Sequence, residues 1–179
     1  PTDPWPSGGT DIVENEAITA TSTPIINGEE VRLRMNVGVA NATATVGTRF
    51  KLQYAQTSTC SAGTWVDVGD AASTTVWKGD DNTGVDDHST ILLASTTLAT
   101  TTVGETYEEN GYATSTPNEI GIGDVAEWDF VLEHNGASAG SDYCFRMVED
   151  DGTVFTSYTN YPTLFTNEAA LTPTLLTLF

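Results

Sequence analysis

The chain has 179 residues, with 25 Asp and Glu against 6 Lys and Arg, a formal net charge of -19 and a pI near 4.1. So few bases exclude binding to a nucleic-acid backbone, which needs clustered Lys and Arg, and attraction to an anionic lipid surface. With 39% hydrophobic and 9% aromatic residues the chain can build a core, which excludes disorder, and it has no apolar run of the roughly 18 residues that membrane insertion requires.

Residues 1–22 read as an N-terminal arm, rich in Pro and Gly at its start and carrying Trp5. Its predicted role is a tether or a second contact between subunits. Residues 23–168 read as one β domain. Val31, Leu33, Met35, Val37 and Val39 alternate with Arg32, Arg34 and Asn36, the period of a half-buried strand. Phe50, Leu52 and Tyr54 repeat the pattern, with Arg49, Lys51 and Gln53 between them. Shorter strands are predicted at Trp65 to Val68, Thr75 to Lys78 and Ile91 to Leu93. Residues 79–125 interrupt the alternation and read as an elaborated, acidic, Gly- and Thr-rich connection. Alternation resumes at Trp128, Phe130 and Leu132, then at Tyr143, Phe145 and Met147. Asp151-Gly152 is a turn dipeptide, predicted to reverse the chain into a hairpin strand over Thr153 to Ser157. No segment sustains apolar residues at helical spacing, and threonine, which favours strands, is about a sixth of the chain. The fold class is therefore all-β, a two-sheet sandwich with extended terminal segments.

Two cysteines, Cys60 and Cys144, in a Thr-rich, Lys-poor chain predict a disulfide and an oxidising exterior; the alternative is two unrelated thiols. The bond would close a long loop and add about 3–4 kcal/mol in the chain-entropy model. Tyr143, Phe145 and Met147 claim one face of their strand, so Cys144 points away from the core and the bond should staple a loop to the outside of a sheet. Asn41-Ala42-Thr43 is a glycosylation sequon at Asn41. The chain starts at Pro1 with no basic and apolar leader, so the expectation is a secreted, cell-surface protein whose signal peptide has been removed.

Residues 169–179 form an apolar, uncharged, β-prone tail that includes Leu171, Pro173, Leu175, Leu176, Leu178 and Phe179. Nine extended residues span about 30 Å, the length of a sheet. Left in water such a ribbon invites aggregation. It either completes its own sandwich or is donated to a neighbouring copy, joining subunits into a filament. Five of the six bases fall on outward strand positions, where they could meet the acidic loops of another copy.

Asp80, Asp81, Asp86 and Asp87 crowd one loop and are candidate calcium ligands, although their spacing is not that of an EF-hand. No other cofactor is expected. His88 and His134 lie outside any metal-ligand spacing, and no nucleophile elbow or phosphate loop occurs, so catalysis is not expected. Glu105, Glu108 and Glu109 resemble paired acids only in composition. Trp5, Trp65, Trp77 and Trp128 could stack on sugars, with Trp65 and Trp128 expected in the core.

Phe50-Lys51-Leu52-Gln53-Tyr54, the Cys60 loop, Trp65-Val66-Asp67-Val68-Gly69 and Tyr143-Cys144-Phe145-Arg146-Met147 resemble fibronectin-III-like and immunoglobulin-like sandwiches. More narrowly, they are similar to a repeat type in large secreted surface proteins of uncultivated bacteria, in which sequences like Glu105-Thr106-Tyr107-Glu108-Glu109, Glu127-Trp128-Asp129-Phe130 and Ser157-Tyr158-Thr159-Asn160-Tyr161-Pro162 recur. The resemblance covers roughly residues 28–166 and implies an immunoglobulin-like fold and a surface location, not an activity. Together these readings predict an extracellular structural subunit that assembles with itself by strand donation. The competing expectation is a monomeric adhesive or carbohydrate-binding module.

Overall fold

The computed structural model describes residues 12–21, 24–82, 84–92, 98–113 and 116–167. Its strands in chain order are β1 (Ile25–Ile26), β2 (Glu30–Gly38), β3 (Phe50–Gln56), β4 (Val66–Asp67), β5 (Trp77–Gly79), β6 (Val103–Glu108), β7 (Tyr112–Ala113), β8 (Val125–His134), β9 (Ser141–Glu149) and β10 (Thr163–Asn167). One short 3-10 turn, Cys60–Ala62, precedes β4, and no α-helix occurs among the described residues. The protein is an all-β sandwich of two sheets. One sheet has the order β1-β10-β9-β3-β4, with β7 also on β3; the other has the order β2-β8-β5, with β6 running parallel to β8.

The four long alternating segments are the four long strands. β2 and β8 pair antiparallel along nine residues, from Glu30 opposite Glu133 to Gly38 opposite Val125. β3 and β9 pair from Phe50 opposite Glu149 to Gln56 opposite Tyr143. Period-two alternation then sends Leu33, Met35, Trp128, Phe130 and Leu132 from one sheet, and Leu52, Tyr143, Phe145 and Met147 from the other, into a single core. Aromatic edges lock the layers: Phe50 meets Trp128 at 5.1 Å between ring centres, and Trp77 meets Phe145 at 5.3 Å. Trp77 is thus a core residue, although its strand is only three residues long.

Three expectations are corrected. The outer face of β8 is not solvated: Glu127, Asp129 and Val131 are buried. Arg32 forks onto Asp129, with Nε 2.8 and 2.9 Å from its two oxygens, while Leu98 N–H and Thr101 Oγ1 donate to Glu127 at 3.0 and 2.7 Å. The elaborated connection therefore covers this sheet face, and Arg32 and Arg34 of β2 find acids within their own chain. The predicted hairpin strand over Thr153 to Ser157 is absent. Phe155, Tyr158 and Tyr161 recur every third residue, a spacing that cannot keep one face of a strand. They stack instead, at 5.8 and 5.2 Å, and Tyr158 donates its hydroxyl proton to the Met147 carbonyl. The chain then returns as β10, with Thr163 opposite Cys144. Finally, at the apolar island Ile91 and Leu92 belong to no strand, the neighbouring Thr90 bridges to Thr106, and Leu93 lies outside the described residues.

The described part of the arm binds its own domain. Ile18 N–H donates to Thr163 O, and Phe165 N–H to Ile18 O, so Ile18 and then β1 line the outer edge of β10. Gly79 marks another close approach. A Cβ there would fall 1.7 Å from the Glu109 carbonyl oxygen. Gly79→Ala should therefore push the Glu109–Asn110 backbone away from β5 and cost about 2 kcal/mol, read from the denaturation midpoint.

Candidate functional site

The site builds outward from a tight turn. Asp86 O accepts Ser89 N–H at 3.1 Å, and His88 sits at φ 62°, a left-handed conformation unusual for a non-glycine residue. From there the backbone zips onto β6: His88 N–H donates to Tyr107 O at 2.8 Å, Tyr107 N–H to Ser89 O at 2.9 Å, and Ile91 N–H to Glu105 O at 2.7 Å. A register shift in β6 between Gly104 and Tyr107 accompanies its pairing with β8.

This geometry gathers Asp87, His88 and Glu108, whose donor atoms all lie within 4.8 Å of one another. His88 Nδ1 is 2.8 Å from Glu108 Oε2, and Nε2 is 3.0 Å from Asp87 Oδ2. Each carboxylate accepts further hydrogen bonds. Glu109 N–H donates to Asp87 Oδ1 at 2.8 Å, Asn110 Nδ2 donates to Oδ2, and Thr106 Oγ1 donates to Glu108 Oε1. A surface hollow of about 540 Å³, lined by Asp70, Ala71, Ala72, Asp81 and Asn110, shares Asn110 with the group.

Burial dominates the electrostatics. The Glu108 carboxyl is pushed up to about 8, chiefly by desolvation, with the Thr106 hydrogen bond opposing and the nearby Asp87 adding. Glu105, fully buried, is pushed up to about 7 by desolvation. The Asn118 backbone N–H tempers that shift electrostatically, yet neither Glu105 oxygen has a hydrogen-bond partner by distance and angle. Burial also raises Glu109; the Asn82 N–H opposes the rise, and Asp81, Asp87 and Asp80 add to it.

Of the four calcium candidates, only Asp87 joins the converging group. Asp80 is raised by burial and by Glu133, Asp81 lines the hollow, and Asp86 caps the turn through its carbonyl. His88 lies outside any local metal-ligand spacing because one of its two partners, Glu108, is 20 residues away on β6. Glu105 and Glu108 are both fully buried rather than set across a cleft. His134 is buried with its ring nitrogens unpartnered, 5.2 Å from Trp77, and burial lowers its pKa.

Cys60 and Cys144 are joined, their Cα atoms 5.5 Å apart. Tyr143 and Phe145 belong to the core cluster and Cys144 does not, so the bond fastens the Cys60 turn to the outside of the sheet. The same outer face carries Trp65, expected in the core but half-exposed. The Arg146 guanidinium lies 4.3 Å from the Trp65 ring centre, and Tyr161 stacks on Trp65 at 5.8 Å. Arg146 is fixed there because Gln53 Oε1 accepts its Nε and Nη2 protons at 3.0 and 2.8 Å. Asn41 is exposed in the loop between β2 and β3. Leu171, Pro173, Leu175, Leu176, Leu178, Phe179 and Trp5 lie outside the described residues. Among the described residues no helix is long and apolar enough to cross a membrane.

No family model matches the chain, and no curated protein or solved structure matches it.

Proposed function

We propose that this is an extracellular structural subunit that assembles with itself into a filament or surface layer, its C-terminal tail lying as an added strand on the sandwich of a neighbouring copy. The observation that carries the reading is β2. Among the described residues it is the terminal strand of its sheet, and it is nine residues long. Its core-facing Val31, Leu33, Met35 and Val37 keep 7–8% exposure, whereas Trp128, Phe130 and Leu132 on the inner strand β8 keep none. A strand added beside β2 would close that residual exposure, and the apolar ribbon Leu171–Phe179 has the same length. The β10 edge, by contrast, is lined by Ile18 and β1. The disulfide agrees with an oxidising exterior. In this role the protein binds no nucleic acid and catalyses nothing. The immunoglobulin-like resemblance of its strands is part of the same proposal.

Deleting residues 170–179 should leave the β signature of the circular dichroism spectrum unchanged and abolish assembly in sedimentation. A truncated chain that still polymerised would overturn the reading.

The second reading, a monomeric carbohydrate-binding module, is favoured by one observation. Trp65, Tyr161 and Tyr158 form a half-exposed row of near-parallel rings on the outer sheet face. It predicts glycan binding that Trp65→Ala removes, by a chain that remains monomeric.

A further inference from the structure

We propose that Asp87, His88 and Glu108 form a binding site for one divalent transition-metal ion of the zinc class. The donor set separates this group from the purely acidic loops: one imidazole nitrogen converges with two carboxylate oxygens inside 4.8 Å. Zinc accepts such nitrogen and oxygen ligands, completing its shell with water, whereas calcium prefers six to eight hard oxygens.

The surroundings are those of ligands held ready. Glu109 N–H and Thr106 Oγ1 donate to Asp87 Oδ1 and Glu108 Oε1, leaving Asp87 Oδ2 and Glu108 Oε2 beside the imidazole, and Asn110 also donates to Asp87 Oδ2. Hydrogen bonds of this kind orient metal-binding carboxylates and tune their basicity. Charge points the same way. Glu108 is fully buried, and it and Asp87 both approach one imidazole. A divalent ion would offset the negative charge of both Glu108 and Asp87. His88 is part-exposed, with 37% of its side chain accessible, and Asn110 connects the group to the hollow, so an ion can reach the ligands from solvent. The ion would tie the turn at 86–89 to β6 and so fasten the elaborated connection to the sheet it covers.

The experiment is calorimetric titration of zinc chloride into the chelator-treated, redialysed 179-residue chain at pH 7.5, with calcium chloride in parallel. One zinc equivalent should bind, at least about tenfold tighter than calcium. His88→Ala and the more conservative Asp87→Asn should each weaken zinc by about tenfold or more, as loss of a ligand or its support does. Asp81→Asn, outside the ligand set, should not. Circular dichroism confirms that each variant is folded. The absence of saturable zinc binding, or binding that His88→Ala and Asp87→Asn leave intact, would overturn the proposal and leave His88 as a counter-ion to two carboxylates.

Discussion

Replacing both Cys60 and Cys144 with alanine should lower the free energy of unfolding by about 4 kcal/mol in the chain-entropy model. The two residues are 84 apart in sequence, so the bond restricts a large loop of the unfolded chain. That loop holds the elaborated connection together with β4 to β8. The native state should change little, because the bond lies outside the core cluster and β3 to β9 pairing continues past it on both sides. Denaturant titration of the oxidised chain against the double variant measures the difference. A loss below about 1 kcal/mol would mean that the unfolded loop is already compact without the bond.

The next largest effect is expected at Glu105. Its carboxyl is fully buried with both oxygens unpartnered, and its folded pKa stands at about 7 against an ordinary 4.5. A carboxyl raised in the folded state holds its proton there while the unfolded chain releases it. The penalty is therefore absent below pH 4.5, grows as pH rises through the interval, and is complete above about 7. A shift of that size corresponds to about 3 kcal/mol. Glu105→Gln imitates the protonated form without being able to ionise. It should match the parent protein near pH 4 and exceed its stability by about 3 kcal/mol at pH 8. Comparing the pair at each pH cancels the opposite trend from His134, whose pKa burial lowers. Equal stabilities at pH 8 would show that a bound water or cation satisfies the Glu105 carboxylate.

The parts of this fold that are legible in the sequence are the strands that send alternate apolar residues into the core between the sheets. Val31 to Val37, Phe50 to Tyr54, Trp128 to Leu132 and Tyr143 to Met147 announce themselves because period two matches the pleat. β6 did not. Glu105, Glu108 and Glu109 fall within the stretch read as an elaborated acidic connection, yet they are buried where β6 lies against β8 beneath a zipped loop. Parallel pairings such as β6 with β8 and β1 with β10 are joined by crossovers rather than tight turns and leave no local signature. β10 was displaced in the reading because the Asp151-Gly152 turn promised an immediate hairpin, while the three-residue recurrence of Phe155, Tyr158 and Tyr161 signalled a stacked loop. The Asp87–His88–Glu108 group was half visible. Asp87 stood out as one acid among four, but His88 and Glu108 meet only through the fold. Trp65 misled because a two-residue strand beside it looked like a buried one, and Arg146, which covers its ring, comes from β9.

Self-assembly is the claim on which the functional account depends, and negative-stain electron microscopy of the purified 179-residue chain tests it most directly. The account predicts fibres or an ordered two-dimensional layer under non-denaturing conditions. Dispersed particles of single-subunit size at every concentration and salt tried would contradict it.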